Sequence, residues 1–147
     1  MHISKRGFRG LVTIAATGAL VAGLSACSGG ADAGSHALRY YSKLQSSPQD
    51  ILLADPGPKD MFDDRVYKRG ALTLHALRLT LGDAAFFTLL QRWVAENTGK
   101  TVTTQQFVRL ADEVAAAAGV EPVGALIAEW LETLPLPQLP GPGSTRV

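Results

Sequence analysis

Apolar residues recur at steps of three and four through most of residues 35–134, and no run alternates at steps of two long enough to make a strand. The pattern predicts an all-α fold, a small helical bundle of about five helices. The first helix is expected to start from a cap at Ser35 and to run through Leu38, Tyr41 and Leu44 to Ser46. A turn-rich connector, residues 50–59, carries Asp55-Pro56-Gly57-Pro58. The central helix is placed at about Met61 to Leu81, with Val66, Gly70, Leu74, Leu77 and Leu81 as its buried stripe. Gly82 should end it and Asp83 should cap the next, which bears Phe86, Phe87, Leu89, Leu90, Trp93 and Val94 and stops at Gly99. Thr103-Thr104-Gln105-Gln106 has the spacing of a capping box, ahead of Phe107, Leu110, Ala111 and Val114. Pro122 suits the first position of a last helix that carries Leu126, Ile127, Trp130 and Leu131.

Side-chain roles follow from those elements. Phe86, Phe87, Trp93, Phe107 and Trp130 are expected in the core. Arg65, Lys68 and Arg69 read as a solvated face. Asp63 and Asp64 sit where carboxylates favour the positive end of a helix dipole. Gly70 is the anomaly, because glycine inside a helix costs about 1 kcal/mol relative to alanine. Close approach of another backbone or a ligand is the expected compensation. Tyr67 precedes Gly70 by three residues, so the two share one helix face.

The ends of the chain are different in kind. Lys5, Arg6 and Arg9 precede an apolar run from Leu11 to Leu24, too short for a comfortable transmembrane helix and laid out as a secretory signal. Leu24-Ser25-Ala26-Cys27 follows and resembles the bacterial lipobox. That resemblance implies a lipoprotein signal peptide over 1–26, acylation of Cys27 by a diacylglycerol and a further chain such as palmitate, and a tether over 27–34. The protein would then face outward at the bacterial cell envelope, with the membrane as partner through lipidated Cys27. Cys27 is the only cysteine, so an intramolecular disulfide is excluded. Without residues 1–26 the chain keeps 121 residues and 11 basic against 13 acidic side chains, a balance that gives no case for nucleic acid. Residues 135–147, rich in proline and glycine, read as an extended tail outside the folded part.

The order and spacing of several pieces carry a second resemblance. They are Asp63 to Arg78 with its Tyr67-x-x-Gly70, Gly82-Asp83-Ala84-Ala85-Phe86-Phe87 with Trp93 following, Val102 to Phe107, and Ile127-Ala128-Glu129-Trp130-Leu131. Together they resemble the aminopeptidase N family of zinc metallopeptidases (gluzincins), in the C-terminal helical part of its catalytic domain, over 35–134. The resemblance implies that Tyr67 stands beside the zinc and stabilises the oxyanion of the tetrahedral intermediate. The zinc motif itself is missing. A His-Glu-x-x-His helix needs two histidines four apart, whereas the histidines here are His2, His36 and His75. The family's third ligand and its Gly-Ala-Met-Glu-Asn loop are absent too, so no metal site and no cofactor are assigned to this chain alone. His75 reads as a partly exposed helix histidine, or as polar lining of a cleft. Two functions remain: a lipid-anchored metallopeptidase fragment, inactive by itself, and a small helical lipoprotein that binds a protein partner, or itself, through the face left uncovered.

Overall fold

The computed structural model describes residues 32–141. The signal peptide, Cys27 and most of the tether lie outside the described residues, as do residues 142–147. The described part is all-α, with helices α1 (Ala33–Gln45), α2 (Gly57–Asp60), α3 (Asp64–Asn97), α4 (Thr104–Ala117) and α5 (Gly124–Glu132). None of the described helices is long and apolar enough to cross a membrane.

Each boundary has a local cause. Asp32, not Ser35, caps α1: its carboxylate accepts the Ser35 N–H at 2.7 Å. An acidic cap also answers the helix dipole, which a serine does less well. The helix thus begins at Ala33, two residues inside the expected tether. Asp63 caps α3 by accepting the Arg65 N–H at 2.8 Å. In α4 both halves of the capping box form, with Thr103 and Gln106 satisfying each other's backbone. α5 starts two residues after Pro122, so that proline precedes the cap and is not the first helical residue. Val123, at the cap position, has no side-chain acceptor. Asp112 of α4 supplies one instead, taking the Val123 and Gly124 N–H groups on Oδ1 at 2.7 and 2.9 Å.

The two helices expected to meet at Gly82 do meet there, as the two arms of α3. Gly82 has φ 76° and ψ 162° inside α3, a region open essentially to glycine alone. It divides the helix into a first arm, 64–81, and a second arm, 83–97. Asp83 does not act as a cap. Its carboxylate reaches back to Arg78, at 2.7 Å from Nε and 2.9 Å from Nη2. The base thus sits in the last turn of one arm and the acid in the first turn of the next, each at its favourable dipole end.

α3 is the spine on which α1, α4 and α5 pack, and α4 also meets α5. α1 leans on the first arm in antiparallel sense: Lys43 meets Asp64 at 2.9 Å, while the Lys68 ammonium lies 5.3 Å from the centre of the Tyr40 ring. The core gathers Leu72, Ala76, Leu77 and Leu89 of α3 around Ala111, Ile127 and Trp130, all essentially sealed from water. Trp93 and Phe107 are half-buried and meet edge to face at 5.1 Å, joining the second arm to α4. Phe87 is 46 % exposed, so it is not a core residue; the Arg78 guanidinium covers its ring. The buried stripe of the first arm is also rotated from the expected one. Arg69, Leu72, Thr73, Ala76 and Leu77 are buried and Leu74 is 41 % exposed, because α5 and the chain after it claim the side bearing Arg69.

Arg69 is the largest departure from a solvated basic face. It is 5 % exposed. Its Nε donates to the Trp130 carbonyl at 2.8 Å and its Nη1 to that of Leu134 at 2.9 Å, while Nη2 serves Thr133 and Pro135. The last carbonyls of a helix have no intrahelical donors, and a planar guanidinium can satisfy several of them at once. Lys68 too is largely covered, and Arg65 is engaged by Asp63 and Asp50. The beginning of the tail is held by the same knot. Leu136 and Leu139 pack on the core, and Pro137 and Pro140 are buried, so residues 135–141 belong to the fold.

Candidate functional site

The site is built on the exposed side of the first arm of α3. Successive turns there present Tyr67, Ala71, Leu74 with His75, and Arg78, the spacing of a single helix face. Tyr67 is 59 % exposed, and its hydroxyl makes no hydrogen bond among the described residues. Gly70 lies on the same side, and a Cβ built there would meet nothing within 4 Å. The expected close approach to Gly70 is therefore not made by any described residue. Among the described residues, nothing lies over Gly70.

Opposite Ala71 and His75 stands α1. The two helices leave a trough of about 370 Å³, floored by Leu72 and Phe86 and walled by His36, Ala37 and Tyr40 on one side and by Ala71, Leu74 and His75 on the other. Tyr67 continues the α3 wall by one turn. Among the described residues no carboxylate lines the trough. Arg39 bonds to His36 Nδ1 and makes no ion pair among the described residues. His75 is half-buried, and burial, aided by Arg78, holds its imidazole below the ordinary histidine range. At the N-terminal end of the arm, Asp64 is shared by Lys43 and Lys68, and the hydrogen bond from Lys43 lowers its carboxyl. Asp63 is drawn to about 2 by the side chain and backbone N–H of Arg65. These acids are committed to basic partners and to the start of the helix.

The chemistry open to this surface is limited. A free phenol can donate a hydrogen bond to a developing oxyanion. A protein zinc site takes three or four His, Cys, Asp or Glu donors, and among the described residues no group of three such side chains comes together. His36 and His75 face one trough from opposite walls, but His36 already carries Arg39. The donor set does not fit zinc. Of the sequence-predicted site residues, Tyr67 is placed on this open face and Cys27 lies outside the described residues. Arg69, Arg39 and the trough were not singled out as functional by the sequence. The 3–4 spacing of Ala33, Ala37 and Tyr40 on α1 and of Ala71, Leu74 and His75 on α3 was the signal for the trough.

The chain matches the peptidase family M1 domain over residues 35–130. Among crystal structures it is similar to the M1 zinc metallopeptidase of Deinococcus radiodurans, at 36% identity and a TM-score of 0.65. A mutant of that enzyme bound to a Tyr-Ser-Ala substrate gives the same figures. A two-domain M1 zinc metallopeptidase mutant bound to L-arginine is similar at 36% identity and a TM-score of 0.66. In each case 78% of this chain is covered, and this chain spans 26% of the other. No curated protein matches.

Proposed function

Because this chain belongs to the M1 family of zinc metallopeptidases, we propose that it is the helical portion of such a catalytic domain, held at the bacterial envelope by a lipid on Cys27 and inactive by itself. The observation that carries this reading is Tyr67: a phenol 59 % exposed, beside a Gly70 over which no described residue lies, at the position the resemblance gives the family's oxyanion-stabilising tyrosine. A tyrosine serving only packing would turn its ring into the core, as Trp130 does. In the full family the zinc supplies the Lewis acid and activates the water. Tyr67 offers one hydrogen-bond donor to an oxyanion, a contribution of a few kcal/mol to a mechanism that other groups must start.

The test uses the protein from residue 27 onward, purified from membranes. Metal analysis should find no stoichiometric zinc, and aminoacyl-p-nitroanilide hydrolysis should stay at background. Zinc at one per chain with turnover would refute the reading. Cys27→Ser should move the protein from the membrane fraction to the soluble one or leave an uncleaved precursor, and an unmodified Cys27 in the mature protein would refute the anchor.

A second reading, a protein-binding module, is favoured by a different observation. The trough beside Tyr67 is apolar, open and lined by the exposed Leu74. Apolar surface of that kind marks interaction sites, for a partner or for a second copy of this chain.

A further inference from the structure

The chain from Cys27 enters the fold at the α1–α3 trough. Ala33, the first residue of α1, lines it. Cys27 precedes Ala33 by six residues, and that length of chain extends to at most about 20 Å. A lipid on Cys27 would therefore keep the trough close to the bilayer surface. Little at this end resists contact with lipid. Histidines aside, Arg78 is the one charged residue among the described ones that line the trough. Its guanidinium pairs with Asp83 and lies against the exposed ring of Phe87. Phe87 in turn meets Phe86, on the trough floor, at 5.5 Å. Beside the trough, Asp32 is committed to capping α1 and Arg39 to His36. Asp32 and Asp83 balance Arg39 and Arg78, which leaves Leu74 and Phe87 as the exposed apolar side chains here.

The opposite end has another character. Lys43, late in α1, meets Asp64 at the start of α3, so the connector between the two helices lies at that end. Residues 50–64 carry Asp50, Asp55, Asp60, Asp63 and Asp64 against Lys59. Phe62 is 76 % exposed there, but it stands between Asp60 and Asp63. Carboxylates lose hydration at an apolar boundary and gain no partner from it.

We propose that the trough end of the domain lies on the bilayer that carries the Cys27 lipid, with Leu74 and Phe87 at the boundary of headgroups and acyl chains and the aspartate-rich connector turned away. Apolar side chains at that boundary strengthen binding in proportion to the area they bury. The tether makes the contact intramolecular, so a small patch is enough. The acyl chains on Cys27 are not themselves the occupant. Every CH₂ gains by burial, and the bilayer covers a whole chain where a trough two turns long and open to solvent covers only part of one. The proposal rests on the anchor at Cys27 and does not depend on Tyr67 having a catalytic past.

The test uses the protein from residue 27 onward. Its single cysteine is coupled to maleimide lipid in phosphatidylcholine vesicles, which fixes the tether independently of acylation in cells. The reference is the same protein capped with N-ethylmaleimide in solution. Hydrogen–deuterium exchange should slow at least about threefold over 33–40 and 71–78 on the vesicles and stay as it was in α4 and in the connector. Leu74→Glu and Ala71→Glu, both at exposed positions, should each remove the slowing with the circular dichroism spectrum unchanged. Phe62→Glu should leave it intact. No slowing on vesicles, equal slowing in every helix, or slowing that survives both trough variants would overturn the proposal. So would slowing that grows with the surface density of coupled protein, which marks a second copy as the occupant. A failure here with Cys27 acylated in cells refutes the docking alone, whereas an unmodified Cys27 in the mature protein refutes the anchor.

Discussion

Replacing Arg69 by Met keeps a long apolar stem and removes the guanidinium. The carbonyls of Trp130, Thr133, Leu134 and Pro135 then lose a cationic donor together. Thr133, Leu134 and Pro135 lie near the surface and can turn to water. The Trp130 carbonyl is sealed and stays unpaired. One or two stranded acceptors cost about 1–3 kcal/mol each, and a hydrogen bond from a charged donor is worth about 1.5–3 kcal/mol. Relief of the buried cation's own desolvation returns part of that. The net loss is about 3 kcal/mol. For a domain of this size it corresponds to a fall in Tm of about 10–20 °C. Urea and thermal unfolding followed by circular dichroism would measure it. Arg69→Lys should recover less than half, because an ammonium cannot reproduce the planar fork. Arginine stays charged at ordinary pH, so the loss should be equal at pH 6 and pH 8. A methionine variant within about 0.5 kcal/mol of the parent, the range of ordinary surface changes, would refute the account of Arg69 as the clasp between α3 and α5.

Gly82→Ala should cost about 1–3 kcal/mol in the same unfolding assay, since φ 76° with ψ 162° strains any side chain although nothing crowds the site. Asp63, held at about 2 in the folded protein against 3.8 ordinarily, should stabilise the fold above pH 4 and lose that contribution as pH falls from 4 toward 2; Asp63→Asn should flatten the stability profile over that window. His75 should titrate below 6.5 by NMR, and Arg78→Gln should move its midpoint upward, though less than full exposure of the ring would. Tyr67→Phe should leave the unfolding midpoint within about 0.5 kcal/mol, because an exposed hydroxyl gives up only water; a loss of several kcal/mol would make it a buried structural group.

Local chemistry was readable along the chain and distant chemistry was not. The Thr103–Gln106 box needs four consecutive residues, and both of its bonds form. The break at Gly82 and the helical class follow from spacing alone, and the family follows from the order of Tyr67, Gly70, Phe86, Trp93 and Trp130. Arg69 looked like a surface cation because its partners lie 61 to 66 residues away. The α5 cap was misplaced for the same reason: Asp112 comes from the preceding helix. Leu74 was assigned to the core since hydropathy does not say which of two adjacent stripes a neighbour will cover. The proline-rich 135–141 segment was read by composition, and composition cannot see the knot that holds it.

α1 rests on α3, and its fully covered residues are Ala37 and Leu44. Ala37 and Leu44, with the partly covered Tyr40 and Tyr41, hold these thirteen ordered residues mainly to one other helix, against the backbone entropy each residue surrenders. The helix should therefore detach as a unit at a free energy below that of global unfolding, with α3, α4 and α5 intact. Its amides would exchange with deuterium ahead of those around Leu77 and Leu89. Any partner seated in the trough would touch α1 and α3 at once, so occupancy would slow that exchange in proportion to affinity. The wall that α1 forms would thus also report a bound partner.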